Sequence, residues 1–239
     1  MSSIEIRSSV ELPSERKLFK LHTKDTLELV AELALPVAKT PVATLITLHP
    51  LPTAGGFMDS HIYRKAANRL PQLADLAVLR FNTRGTSSPQ GTSDGEFDGG
   101  KDEQFDVAAA VEFVLSAGLP NPWLVGWSFG TELALKYGPD HDVLGAILLS
   151  PPLHRTSDEE LKRWNHTSQR LVALIPEHDD YLKPEAAAER FAIVPKIELV
   201  NIDGAKHLWV GESATTRVLN EITKVVSPEA FPLPEFIEL

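Results

Sequence analysis

Six short apolar runs, "VATLITLHP", "LAVLRFN", "PWLVGW", "VLGAILLS", "RLVALIP" and "KIELVNI", alternate along this chain with segments of helical spacing. No other feature of the sequence narrows the fold as much. All six read as strands, and "VATLITLHP" and "LAVLRFN", largely aliphatic with little polar alternation, read as strands covered on both faces. Strands of that kind separated by helices bury both faces as a parallel sheet wound on two sides. The helical patterns include "MDSHIYRKAANRLPQL", with Ile62, Ala66, Ala67 and Leu70 on one stripe, then "KDEQFDVAAAVEFVLSAG", "FGTELALKYG", "PEAAAERFA" and "ESATTRVLNEITKVV". In the second of these, acids occupy the first turn and Gly118 stands just past the end, as the helix dipole and the C-terminal cap favour. Ahead of this block, "IEIRSSVEL", "KLFKLHT" and "TLELVAELALP" are short apolar alternations, expected as antiparallel opening strands.

The chain has 239 residues, 43% of them hydrophobic, and contains no linker, repeat or low-complexity tract, so one domain over residues 1–239 is expected. Its net charge of −10 argues against a nucleic-acid groove or a basic membrane-binding surface, both of which need clustered Lys and Arg. The chain has no cysteine, which excludes disulfides, thiolate metal sites and a cysteine nucleophile. The N-terminal "MSSIEIRSSVELPSERK" is charged throughout and has no apolar core of signal-peptide length, and a cytoplasmic location is expected. The tail "SPEAFPLPEFIEL" carries Phe231, Leu233, Phe236 and Ile237 and is expected to pack on the body or on a neighbour.

Chemistry enters at "WLVGWSFGTELALKYG", where Ser128 stands between Gly126 and Gly130 at a strand-to-helix junction. A serine on so sharp a turn takes a strained backbone conformation that exposes its oxygen, and the residues two places either side must be small for the turn to close. The turn also aims the first N–H groups of the helix at the serine, where they can meet negative charge developing on a substrate oxygen. Ser128 is therefore a candidate nucleophile.

A serine hydroxyl is inert near neutral pH unless a base takes its proton, and that base needs an acid to orient it. An elbow of this kind takes its partners in the order Ser, Asp or Glu, His, each from a loop after a strand. His207, in "IELVNIDGAKHLWVGE", is the one histidine in the last strand-to-helix loop. "VALIPEHDDYLKP" offers two adjacent acids. Asp179 fits a count from the strand end, with Pro176 where a glycine is usual, and Asp180 fits a count back from Pro184. Asp179 is preferred and Asp180 is the alternative. His178, Asp179 and Asp180 are also metal-ligand types, but adjacent residues in an extended loop seldom converge on one ion, and no metal role is expected.

With these residues in hand, the chain resembles the α/β-hydrolases, and within them the small, nearly lidless branch near dienelactone hydrolases and bacterial short-chain carboxylesterases. The resemblance covers residues 40–225. It is carried by "GWSFG", by "LHPLPTAGGFMD", by "RFNTRGTSSPQG" with "GEFDGG", and by "DGAKHLW". It implies an eight-stranded, mostly parallel sheet with antiparallel N-terminal strands, helices on both faces and little or no cap. It implies that the backbone N–H of Phe129 supplies one oxyanion donor and that of Leu51 the other, since Pro50 has no N–H. It makes His49 a residue that fixes a loop. The activity implied is hydrolysis of a small carboxylic ester or thioester through Ser128, His207 and Asp179, without a cofactor.

The usual Arg-Gly-x-Gly-x-Ser loop of the family appears here as Arg84, Gly85, Thr86, Ser87, Ser88 and Pro89, with its second glycine and final serine replaced. The connection from Ser150 to Arg170 is too short for a large helical cap. Within it, "DEELKRWNHTSQR" is expected as one short helix over the mouth, with Trp164 packing on the body or lining the pocket. Trp127 and Phe129 flank the serine, and each is either core or part of a second aromatic pocket wall. Two other functional classes compete with this reading. A nucleotide-binding sheet would need a phosphate loop after its first parallel strand, and "PTAGGF" has neither G-x-G-x-x-G nor a P-loop lysine. A non-catalytic binding protein on the same fold is opposed by the complete Ser, Asp, His order.

Overall fold

A computed structural model describes residues 3–7 and 9–238. Eight strands form the central sheet: β1 (Glu15–His22), β2 (Glu28–Leu35), β3 (Ala43–Leu48), β4 (Leu76–Phe81), β5 (Pro122–Trp127), β6 (Gly145–Leu149), β7 (Arg170–His178) and β8 (Glu198–Lys206). Their spatial order is β1-β2-β4-β3-β5-β6-β7-β8. Strands β3 to β8 are mutually parallel, and β2 pairs antiparallel with both β1 and β4. Every residue of β3, β4, β5 and β6 is buried, which is why these four read as unbroken apolar runs.

Six α-helices cover the sheet: α1 (His61–Ala74), α2 (Glu103–Ser116), α3 (Phe129–Tyr137), α4 (Asp158–Arg163), α5 (Pro184–Arg190) and α6 (Glu212–Val226). The period-2 alternation of the strands divides the apolar residues between two cores. Trp123, Val125 and Trp127 of β5 pack with Ile62, Tyr63 and Leu70 of α1 and Val218 and Ile222 of α6. Leu124 of the same strand packs on the opposite face with Val107 of α2, Leu133 of α3, Leu161 of α4 and Ala187 of α5. Among the described residues, no helix is long and apolar enough to cross a membrane.

The first expected strand departs from the sheet. Ser3–Glu5 pairs antiparallel with Phe236–Glu238 of the tail, so the two ends of the chain form a ribbon of their own. The tail packs on the body at Leu233, whose N–H donates to Asn220 of α6 at 2.9 Å.

The short helix also differs from its expected place. Ser157 and Glu160 form a reciprocal capping box that starts α4. The helix then lies along α3, because Trp164 is fully buried, donates its indole N–H to the Leu135 carbonyl at 2.9 Å and fills the space over Gly138, where any Cβ would collide with its ring. Trp164 is a core residue and does not line a pocket.

The stretches that carry the resemblance turn out to be struts. Arg80 on β4 is buried between Glu32 of β2 and Asp59 of the loop before α1. Asn82 accepts from the Met58 N–H at 2.9 Å and donates to Ser88 at 2.8 Å. Arg84 pairs with Asp106 of α2 at 2.8 Å and with Asp25 at 3.0 Å. Glu103 receives the N–H groups of Asp98 and Gly100, closing the glycine-rich turn onto α2. Where the loop lacks its second glycine, Ser87–Ser88 pairs with Gly91–Thr92 as a small hairpin.

Candidate active site

Ser128, Asp179 and His207 leave β5, β7 and β8 at the C-terminal edge of the sheet. Ser128 has φ 52° and ψ −117°, a conformation that costs a non-glycine residue on the order of 1–3 kcal/mol. Packing over-determines it. A Cβ on Gly126 would overlap the carbonyl of Gly130, and one on Gly130 would overlap the carbonyl of Leu48, so both positions admit only glycine. The Ser128 N–H donates to Leu149 of the neighbouring strand at 2.9 Å, which fixes the elbow to the sheet.

The three side chains form one hydrogen-bonded row. Ser128 Oγ–H donates to His207 Nε2 at 2.9 Å, and His207 Nδ1–H donates to Asp179 Oδ2 at 2.9 Å. This tautomer follows from the acceptors, since a carboxylate oxygen can only receive. The Asp179 N–H donates to the Pro176 carbonyl at 3.2 Å, and the turn so formed directs Asp179 inward. Its Oδ1 also accepts the N–H groups of Tyr181 at 2.8 Å and Leu182 at 3.2 Å. Burial pushes the Asp179 carboxyl up, but the hydrogen bond from His207 and those two amides outweigh it and hold the group below the usual carboxylate range. Asp180 and His178 are exposed, so the three adjacent ligand-type residues do not converge.

The His207 backbone is held as firmly as its ring. Its carbonyl accepts the Trp127 indole N–H at 3.1 Å and the Ser150 hydroxyl at 3.2 Å. Trp127 is therefore an anchor for the histidine loop: it is 3% exposed and faces α1 and α6, since residue 127 points to the opposite side of β5 from residue 126. It does not line a pocket, correcting the second aromatic-wall expectation. His61 braces the same loop by donating from Nε2 to the Trp209 carbonyl at 3.1 Å.

Opposite this row lies the loop that leaves β3. The tight approach of Gly130 to Leu48 and His49 sets the first turn of α3 against that loop. Among the described residues, neither the Phe129 nor the Leu51 N–H donates to a protein acceptor. The loop is shaped by His49, whose Nδ1–H donates to the Pro50 carbonyl at 2.7 Å while its Nε2 accepts the Thr83 N–H at 3.0 Å. Tyr63, fully buried on α1, reaches the carbonyls of both Leu48 and Val125 at 2.9 Å and so ties the ends of β3 and β5 together. Its place on the apolar stripe of α1 is legible in sequence; its reach to two strand ends is not.

Burial lowers the His49 imidazole to about 4. Between pH 6.5 and 4 the unfolded chain binds a proton there that the folded protein refuses, so stability falls as pH falls, by about 3 kcal/mol across the window. Urea unfolding at pH 7 and pH 4.5 is expected to give a shallower decline in His49→Asn than in the wild type. Equal slopes would remove His49 from this role.

The sheet order, the single reversed strand β2, the strained serine elbow and the absence of a cap define the α/β-hydrolase fold, and this chain has it. No protein-family model and no curated protein matches the sequence. Among solved structures, the chain is similar to a lidless α/β serine hydrolase from Xanthomonas campestris, with 24% identity, a TM-score of 0.75 and coverage of 94% of this chain and 99% of that one. It is similar to an α/β serine hydrolase homologue from Coxiella burnetii, with 24% identity, a TM-score of 0.72 and coverage of 89% and 96%. It is also similar to an esterase from Pyrococcus furiosus, with 20% identity, a TM-score of 0.69 and coverage of 90% and 94%. At these identities the likeness is one of fold.

Proposed function

We propose that this protein is a serine hydrolase that cleaves small carboxylic esters or thioesters by acyl transfer to water. The observation that carries the reading is the unbroken row from Ser128 Oγ through both ring nitrogens of His207 to Asp179, at 2.9 Å on each side of the imidazole. His207 takes the Ser128 proton as Oγ attacks the carbonyl carbon, and the Phe129 and Leu51 N–H groups receive the oxyanion. The alkoxy or thiolate group leaves with that proton. Water then gives a proton to Nε2 and attacks the acyl-enzyme, releasing the carboxylic acid and restoring Ser128. Water is the only co-substrate the scheme needs. The names of the similar structures, serine hydrolase and esterase, lend support.

The test is intact mass after incubation with a fluorophosphonate. One adduct on folded protein, mapped to Ser128 by peptide mass, is the expected result. A folded protein that stays unmodified from pH 6 to 9 would overturn the reading.

A further inference from the structure

The acyl-transfer step fixes where the alcohol half of a substrate must sit. When the tetrahedral adduct collapses, the bond from the carbonyl carbon to the alkoxy oxygen breaks, and that oxygen takes the proton held on His207 Nε2. The alkoxy group therefore lies within hydrogen-bond reach of Nε2, and its substituent meets whatever flanks the imidazole.

That flank is aromatic. The Tyr181 ring stands edge-on to the His207 ring, with centroids 4.6 Å apart and planes at 66°. The His154 ring also stands edge-on to Tyr181, at 5.3 Å and 78°. His207 is almost fully buried, yet Tyr181, whose ring touches the imidazole, is 56% exposed, so much of Tyr181 has no protein covering it. The backbone at Tyr181 is held in place, because its N–H donates to the carboxylate that holds His207. Leu208, the residue after His207, is also 56% exposed and adds apolar surface at the rim. Arg155, beside His154, is engaged by Glu132 at 3.3 Å and lies over the Phe129 ring.

Resting on the hydrolase reading above, we propose that Tyr181, backed by His154, is the leaving-group subsite and selects esters of arylmethyl or aromatic alcohols. A flat ring attached to the alkoxy oxygen can stack on the open part of Tyr181 while that oxygen faces Nε2, and an aromatic pair gains over a saturated ring of equal size.

The experiment compares kcat/KM by pH-stat for methyl, cyclohexylmethyl and benzyl acetate, which share one acyl group. The wild type is expected to favour benzyl over cyclohexylmethyl acetate by roughly fivefold. Tyr181→Ala is expected to bring that ratio close to one, and Tyr181→Phe to keep it. A residue that merely holds His207 in place would scale all three esters alike and leave the ratio untouched. A wild-type ratio near one, or a ratio unchanged in Tyr181→Ala, overturns the subsite while turnover of the esters leaves the hydrolase reading standing. No turnover of any ester, together with no fluorophosphonate adduct, overturns the hydrolase reading and the subsite with it.

Discussion

Ser128→Ala is expected to lower kcat for ester hydrolysis by about 10⁶-fold while leaving the fold intact. Among the described residues the Ser128 Oγ makes one hydrogen bond, to His207 Nε2, so its loss removes the proposed nucleophile and little else. Alanine at φ 52° is strained as serine is, and no new backbone penalty arises. His207→Ala is expected to cost a similar factor, and the double variant hardly more, because groups that act on one proton do not contribute additively. The measurements are single-turnover kinetics and a thermal melt of each variant. Activity in Ser128→Ala above about one hundredth of the wild type, at an unchanged melting temperature, is incompatible with a serine nucleophile.

Asp179→Asn is expected to reduce kcat by about 10⁴-fold, and Asp180→Asn to stay within about twofold of wild type. Asp179 accepts on both oxygens, from His207 Nδ1–H on one and from the Tyr181 and Leu182 amides on the other. An asparagine places its NH₂ against one of these donors. If it faces His207, the imidazole must accept at Nδ1 and carry its proton on Nε2, where it can no longer take the serine proton. If it faces the loop, two backbone N–H groups lose their acceptor and the turn that aims residue 179 inward weakens. Asp180 is exposed, so its substitution touches neither arrangement. Equal losses in the two variants would remove Asp179 as the orienting acid.

The strands and helices of the core were legible because burial on both faces leaves so plain a mark. β3, β4, β5 and β6 have no exposed residue, and their sequences are nearly unbroken apolar runs. The positions of Ser128, Asp179 and His207 were legible because each follows a strand directly, at the edge where a parallel sheet delivers its loops. Of the two adjacent acids the sequence offers, it is the Asp179 carboxylate that accepts the His207 Nδ1–H, while Asp180 is exposed. What the sequence concealed is the side to which aromatic residues point. Nearness of Trp127 to Ser128 suggested a pocket wall, whereas strand alternation turns it to the far core, where it holds the His207 carbonyl. Tyr181 carries no sequence signal at all: the role proposed for it rests on a 4.6 Å ring contact between two loops 26 residues apart.

The burial of Trp164 has a consequence for how a chain with this fold and the proposed activity would acquire new preferences. In folds that cover their site with a mobile cap, selectivity is adjusted by inserting or reshaping that cap, and closure becomes part of every turnover. Here the segment after β6 is nailed to α3 through one indole, and its helix is capped at Ser157 and lies away from the mouth. On the proposed activity, encounter, chemistry and release would then share one geometry, and the evolutionary alphabet for altering substrate range shrinks to point changes on the rim. Such changes lie outside the buried core, so most of them can be sampled at little cost in folding stability.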